Sequence, residues 1–193
     1  MIIINNKVDF KPGNFLYPAP AVMVSCGDNI DNLNIITISW TGNICTNPAM
    51  VYVSIRPERY SYNIIERTRE FVINLTNEDL TFACDFCGVK SGRDVDKFNY
   101  LKLTKEKAKK INSYIIKESP VNIECKVKDI INIGTHSMFV ADVVNIQVNE
   151  SLLDSTGKFH FNNSNPIVYS HGEYRGIKSE TIGTFGYSIK KKK

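Results

Sequence analysis

The sequence lacks any uninterrupted apolar run near the roughly 20 residues that a membrane-spanning helix requires, and its first residues, MIIINNKVDF, lack the basic start of a secretion signal. It contains no HExxH, GxSxG, GxGxxG or Walker-type phosphate loop, so no motif supports hydrolase chemistry or a nucleotide loop. With only three histidines, acid–base candidates are sparse. We therefore expect an intracellular, cytoplasmic protein with no membrane segment, in which a bound cofactor carries the chemistry.

Positive and negative side chains are balanced in number outside the four C-terminal lysines. The formal net charge is +4, and the 24 Lys and Arg residues exceed the 20 Asp and Glu residues only by the four consecutive lysines Lys190–Lys193. Such a terminal run is typical of a solvated tail. No interleaving of aromatic and basic residues suggests a base-stacking surface, so we expect no nucleic-acid partner.

The cysteines are too few and too scattered for a disulfide framework or a structural zinc site. They number five and form a single CxxC pair, whereas a zinc site of this type needs two pairs. The residues Leu80, Ala83, Cys84 and Cys87 recur at helical spacing, which favours buried, reduced thiols and no metal. A thiol or metal protein that uses Cys84 and Cys87 is the alternative.

What the sequence does have is a series of short apolar runs separated by turn residues, which predicts strands. The predicted strands are 21–26, 35–40, 49–55, 71–75, 121–130, 136–150 and 166–170. Apolar and polar residues alternate in strand 121–130, which predicts one buried and one solvated face. The length of strand 136–150 predicts a bulge. Turns are predicted at 27–34 and 41–48.

Two helical patterns interrupt these strands. The first has Ser61 as its candidate N-cap, and the second has Thr76 or Asn77 as its cap and Gly88 at its end. Because no βαβ rhythm follows, we predict one domain over 1–193, mainly β, built as an antiparallel barrel with short helical insertions.

Two segments carry groups suited to a phosphate. In Ser54–Ser61 a strand ends, two arginines follow and a hydroxyl opens a helix, which suits an anion, although solvated arginines beside an ordinary cap explain the same pattern. In GVKSGRDVDKFNY, 88–100, Lys97 follows Ser91 and Gly92; read alone, this is a charged surface loop. Trp40 ends an alternating strand, either as a core residue or as part of a cleft wall.

Together and in this order, these segments resemble the flavin reductase-like family, which has an FMN-binding split barrel, and most of all its flavoredoxin-like branch. The resemblance extends from about Pro18 to Ser188. It is carried by YPAPAVMVSC, NIITISWTGNICTNPAMVYVSIRPERYSYNII, EFVINL, GVKSGRDVDKF, IECKV, GTHSMFVADVVNI and YSHGEYRGI…TIGTFGYS. It implies a six-stranded antiparallel split β-barrel that forms a homodimer, with FMN at or near the dimer interface.

The resemblance also implies the residues that contact FMN. Asn34 and the strand Thr37–Thr41 match the segment that flanks the isoalloxazine ring, and Ser54–Ser61 matches the segment that holds the phosphate. Lys97 matches a lysine that reaches the flavin, within a loop anchored by Phe98. The full implied set is Asn34, Thr37, Ser39, Trp40, Thr41, Ser54, Arg56, Arg59, Ser61, Ser91, Gly92, Lys97, Phe98, His136 and Tyr169.

His136 and Tyr169 are expected at the ring itself, His136 near its polar edge and Tyr169 over one face. No side chain need act as catalytic acid or base; His136 and Lys97 would tune the flavin. A strand histidine tied to a backbone carbonyl is the other interpretation of His136. In the loop, Arg93, Asp94 and Asp96 are expected to hold its shape.

The implied function is an FMN-dependent oxidoreductase that passes electrons from NADH or NADPH to free flavin, a partner protein or another acceptor. A flavoredoxin-type electron carrier with tightly bound FMN and little NAD(P)H activity of its own is the main alternative. A flavin-binding module without turnover is a third.

Overall fold

A computed structural model describes residues 6–189, which form twelve β-strands and three α-helices. The strands are β1 (Ala19–Pro20), β2 (Val22–Cys26), β3 (Asn34–Ile38), β4 (Thr41–Cys45), β5 (Met50–Ile55), β6 (Glu70–Leu75), β7 (Lys105–Lys107), β8 (Tyr114–Ile116), β9 (Val121–Ile133), β10 (His136–Val148), β11 (Ile167–Ser170) and β12 (Glu173–Gly176). The helices are α1 (Tyr60–Thr68), α2 (Thr81–Val89) and α3 (Lys97–Tyr100). Among residues 6–189, none of the helices has the length and apolarity required to cross a membrane.

Seven antiparallel strands form the main sheet, in the order β3-β2-β6-β9-β10-β5-β4. Its two edge strands, β3 and β4, are separated in sequence only by Ser39 and Trp40. Because so short a link spans no more than roughly 11 Å, the two edges must meet and the sheet must curl. The Ser54 backbone N–H donates to the Trp40 carbonyl, 2.9 Å away, at this bend. The strands β3 and β4 are therefore halves of one bent strand, and the predicted six-stranded split barrel is confirmed.

Strand β2 shows why an uninterrupted apolar run forms a strand here. Val22, Val24 and Cys26 pack in the barrel core, whereas Met23, on the other face, packs in an outer core that includes Phe98. A strand buried on both faces reads as continuously apolar. The bulge predicted in the last long strand is also confirmed, since the register of β10 against β9 shifts at two places, Val140/Ala141 and Val143/Asn145.

Three predictions of local structure are wrong. The segment 41–48, predicted as a turn, contains β4, which is missed because most of this strand is exposed and has no apolar alternation. Ser61 is the second residue of α1 rather than its N-cap, which is Arg59. Gly88 lies inside α2 rather than after it; an added Cβ would sit 3.2 Å from Thr37 Cβ, so this glycine permits close packing on β3.

The predicted solvated face of 121–130 is also wrong in its first half. Glu124 is fully buried, and Asn122 is 4% exposed, because the segment Lys105–Ile116 covers this face. Burial acts to raise the pKa of Glu124, but hydrogen bonds from Asn145, from the backbone of Lys109 and Lys110, and from Gln147 outweigh it and hold that pKa below its usual value.

Candidate functional site

A cleft of about 130 Å³ lies where the start of α1, strand β3 and the loop after α2 meet. Strand β3 supplies Asn34 and Ile36, and the start of α1 supplies residues 58–61. The third wall comes from residues 87, 88 and 90–93 together with Lys97. The cleft thus joins the two segments that the sequence marked as phosphate candidates.

The start of α1 leaves its first turn without a side-chain cap. Its N-cap, Arg59, is extended and makes no capping hydrogen bond through its side chain. Ser61 is not the cap because it lies inside the first turn, as the second residue of α1; it is fully buried, and its hydroxyl accepts a 2.8 Å hydrogen bond from Asn34 Nδ2. An uncapped helix start presents backbone N–H groups and a positive partial charge, both of which favour an anion.

Positive charge dominates the cleft. Its walls carry Arg59, Lys90, Arg93 and Lys97 against the single acidic residue Glu58. The Arg93 guanidinium lies 5.4 Å from the centre of the Tyr60 ring and donates to the Glu58 carbonyl at 3.2 Å, which ties the loop to the start of α1. The cleft is therefore electrostatically suited to a ligand with more than one negative charge.

Lys97 is a buried cation in the wall of this cleft. It is 4% exposed, and its Nζ donates to the carbonyls of Ile35 and Cys87 at 2.6 and 2.8 Å. Burial lowers its pKa. An ammonium group has three N–H donors, so these two bonds leave one for a ligand. Lys97 thus fastens α3 to β3 and α2 and still presents a donor to the cleft.

Gly92 lets the backbone of the loop approach its neighbours closely. An added Cβ would lie 2.6 Å from Asn34 Cγ and 2.7 Å from Tyr60 Cδ1, closer than real Cβ contacts. The space beside Gly92 is therefore available only to a residue without a side chain. Nearby, Asp96 caps α3 by accepting from the Asn99 backbone, which confirms that Asp96 holds the shape of the loop.

Six of the residues that the sequence singled out line this cleft together. They are Asn34, Arg59, Ser61, Ser91, Gly92 and Lys97. Asn34, expected beside a flavin ring, lies against Ser61 and so among the residues expected at the phosphate.

Five others lie along the bent strand and its neighbour, outside the lining of the cleft. They are Thr37, Ser39, Trp40, Thr41 and Ser54. The Thr37 hydroxyl donates to the Cys84 carbonyl of α2, and Trp40 is partly buried at the bend. These residues continue the strand whose first residues form a wall of the cleft.

The remaining four are spread more widely. Arg56 is exposed and pairs with Glu58 at 3.5 Å, and Phe98 is 2% exposed in the outer core. His136 begins β10, with Nδ1 3.0 Å from the hydroxyl of the adjacent Thr135. Tyr169 lies in β11 and makes edge contacts with Tyr17 and Tyr174.

Sequence reasoning missed Lys90, Tyr60, Glu58 and Cys87 as cleft residues and gave Arg93 only a role in loop shape. Counting cations on both sides of Gly92 would have indicated Lys90 and Arg93. The places of Tyr60 and Cys87 depend on how α1 and α2 pack against β3, which no local pattern records.

The thiols of the CxxC pair are buried. Burial raises the pKa of Cys84 to about 12 and that of Cys87 to about 11. No group of three or more metal-ligating residues occurs within 6–189. Their burial in the outer core supports the interpretation of both cysteines as small hydrophobic residues.

Barrel and cleft together define a split-barrel protein with a cationic pocket beside a bent strand. Residues 14–178 match the family model described as "Flavin reductase like domain". The chain therefore belongs to the flavin reductase-like family.

Three relatives illustrate this membership. The structure of flavoredoxin from Desulfovibrio vulgaris (Miyazaki F) is 26% identical and superposes with a TM-score of 0.87 over 95% of this chain and 100% of that one. Flavoredoxin from Methanosarcina acetivorans, at 21% identity and a TM-score of 0.86 over 96% and 100%, shows the same fold. The reductase component of a 4-nitrophenol 4-monooxygenase/4-nitrocatechol 2-monooxygenase from Rhodococcus opacus is 27% identical over 72% of this chain and 64% of its own. Family and relatives support a flavin cofactor and a flavin-related oxidoreductase or electron-transfer role.

Proposed function

We propose that the protein binds FMN with its phosphate in the cleft and acts as an oxidoreductase that passes electrons from NADH or NADPH to free flavin or another acceptor. The observation that carries this proposal is the convergence of four cations on one uncapped helix start. When bound, FMN supplies the electron-carrying chemistry. The protein's part is to bind the cofactor, orient it and leave it accessible.

The residues present fit an FMN phosphate. That group carries nearly two negative charges at neutral pH, and a guanidinium fork and a helix start are its usual partners. Arg59 and Arg93 supply the forks, Lys90 and Lys97 add charge, and Gly92 lets the loop that carries Arg93 pack closely against Asn34 and Tyr60. Glu58, the one acidic residue of the cleft, is offset by its pairing with Arg56.

The ring contacts proposed for the remainder of FMN are Thr37, Ser39, Trp40, Thr41 and Ser54, with His136 and Tyr169 as further candidates. Support comes from continuity: Asn34 and Ile36 line the cleft, and the same strand continues through these positions to its bend. The proposed location is the cytoplasm, supported by the free state of all five cysteines.

A flavoredoxin-type electron carrier is the second candidate. It would hold FMN tightly, receive electrons from another redox protein and react little with NADH or NADPH. The likeness to a flavoredoxin over nearly the whole chain favours it. The two candidates share the same site and differ in the electron donor.

Titration of the apoprotein with FMN tests the site, with flavin fluorescence as the readout. Arg59→Ala and Ser61→Ala should each weaken FMN binding, by about tenfold for the charged contact. Arg175→Ala is the matched control, since Arg175 is exposed and pairs with Glu173 in β12, away from the cleft. Unchanged affinity in both cleft variants would show that the phosphate lies elsewhere.

A further inference from the structure

A second, larger cleft adjoins the proposed flavin site. Its volume is about 250 Å³, and it shares Tyr60, Gly92 and Arg93 with the first cleft as a common wall. Sites that enclose a whole drug-sized ligand measure roughly 300–1,000 Å³, so this cleft suits one part of a ligand whose remainder lies outside it. The shared wall indicates that the remainder lies toward the first cleft.

The lining of the second cleft is mainly polar, with a smaller apolar part that a base can contact. Ile30, Leu33 and Val95 supply apolar surface beside the Tyr60 ring. Ile30 is 57% exposed, although it lies in this concave surface. Apolar side chains beside an aromatic ring are a common setting for a planar heterocycle.

Two carboxylates in this cleft are available to accept hydrogen bonds. Asp31 and Asp94 are exposed, and neither side chain is hydrogen-bonded within residues 6–189, whereas the Asp96 carboxylate is engaged with Asn99 at 2.6 and 3.1 Å. In Rossmann-type sites a carboxylate accepts from a ribose hydroxyl of an adenine dinucleotide, and the same chemistry is open to a carboxylate on another fold. Three aspartates against Arg93 and Lys105 also make the cleft unfavourable for a phosphate inside it.

Arg93 lies where a diphosphate would have to pass between the clefts. Its guanidinium sits over Tyr60, in the shared wall, and one of its N–H groups is bound to the Glu58 carbonyl. Since a guanidinium has five N–H donors, others are free to bind phosphate oxygens. The net charge is thus positive in the first cleft and at the wall that the two clefts share, and slightly negative in the second cleft.

We propose that the second cleft binds the adenosine half of a dinucleotide, with the diphosphate at Arg93. This inference rests on the proposed function, because it takes the first cleft as the flavin phosphate site. FAD and NADH both carry the required adenosine diphosphate. The carboxylates disfavour the extra 2′-phosphate of NADPH, so a nicotinamide donor that uses this cleft is NADH.

Two titrations distinguish FAD from NADH as the ligand that supplies the adenosine. If FAD supplies the adenosine, the apoprotein binds FAD about tenfold more tightly than FMN, read by flavin fluorescence. If NADH supplies it, FMN-loaded protein binds ADP-ribose in a calorimeter, and 2′-phospho-ADP-ribose binds more weakly. Either result supports an adenosine site.

Variants then locate the site. Asp31→Ala and Asp94→Ala should weaken the binding of FAD or of ADP-ribose about tenfold and leave FMN affinity unchanged, whereas the exposed Asp79→Ala, outside both clefts, should change neither. The inference is overturned if FAD binds no better than FMN and ADP-ribose does not bind, or if both aspartate variants match the wild type. In these cases FMN binding would leave the proposed function intact; a protein that binds neither flavin would overturn both.

Discussion

At the residue scale, Gly92 sets how closely the loop after α2 approaches β3 and α1. Its φ is not in the left-handed region, so the need for glycine comes from the proximity of Asn34 and Tyr60 rather than from backbone conformation. Glycine is required at this position because Asn34 and Tyr60 occupy the space that a side chain would take.

Gly92→Ala should therefore damage the cleft. The added methyl group displaces Asn34 or Tyr60, which disturbs the hydrogen bond to Ser61 and the support of Arg93. We expect FMN affinity to fall by at least tenfold in a fluorescence titration. Gly13→Ala, which meets only the Phe15 ring at 3.2 Å and the Lys11 carbonyl at 3.9 Å, is the control; equal FMN affinity in the two variants would contradict the steric argument.

Glu124 stabilises the fold through the hydrogen bonds that its buried carboxylate accepts. It is fully buried on β9, and four donors converge on its carboxylate at 2.7–3.0 Å. Lys109, Asn145 and Gln147 donate to one carboxylate oxygen and Lys110 to the other, so in Glu124→Gln the amide N–H₂ group faces at least one donor, which loses its acceptor. We expect the free energy of unfolding to fall by about 1–3 kcal/mol at pH 7, measured by urea denaturation.

The pH dependence provides a further check on Glu124. Because its pKa is lower in the folded protein than the usual value of about 4.3, the charged form stabilises the fold above about pH 4.3, and this stabilisation is lost as pH falls through the folded pKa. The difference between wild type and Glu124→Gln should shrink in acid. Glu66→Gln, on the exposed side of α1, is the control, and a pH-independent difference would contradict the assignment.

At the scale of elements, the one-turn helix α3 is tied to the barrel by Lys97. The loop that precedes it contributes Lys90, Ser91, Gly92 and Arg93 to the cleft, so its position determines the site. The two hydrogen bonds from Lys97 to the carbonyls of β3 and α2, together with the burial of Phe98, hold this position.

Lys97→Met should affect both stability and binding. Loss of the ammonium group leaves the carbonyls of Ile35 and Cys87 without this donor, at a cost of about 1–3 kcal/mol in the free energy of unfolding of the apoprotein. FMN affinity should fall as well. Lys90→Met removes an exposed charge from the same cleft and should weaken FMN binding with little change in stability. If Lys97→Met unfolds like the wild type, its role as a tie is wrong.

At the scale of the whole molecule, the resemblance implies a homodimer with the flavin near its interface. Exposed apolar side chains lie at both ends of the long β9–β10 hairpin: Ile131 and Ile133, near its turn, are 41 and 54% exposed, and Ile146 and Val148, at its opposite end, are 54 and 36% exposed. The expectation of a dimer therefore rests on the resemblance and not on a single apolar patch. Sedimentation should therefore show a dimer. A monomer that binds FMN with full affinity would contradict a site that needs the partner.

The overall fold was predictable because its signals are local or additive. Continuous apolar runs such as Val22–Cys26 and the alternation of 121–130 mark strands wherever the chain later places them. The edge strand β4 was not predictable, because most of its residues are exposed and show no apolar alternation. Ser61 was wrongly predicted as the cap because α1 begins one residue earlier, at Tyr60, and its contact with Asn34, 27 residues earlier in the sequence, leaves no local signal. The burial of Glu124 was not predictable either, because it depends on the segment around Lys109 and Lys110, which packs over this face of the sheet.

The anaerobic absorption spectrum of the purified protein, before and after NADH and NADPH, tests the central claim most directly. We predict the bands of bound FMN, present from the start or restored by added FMN, and their bleaching by one of the two nucleotides. Bands that only dithionite bleaches would favour the flavoredoxin-type carrier over the reductase. A colourless protein that takes up no added FMN would contradict the proposed site and function together.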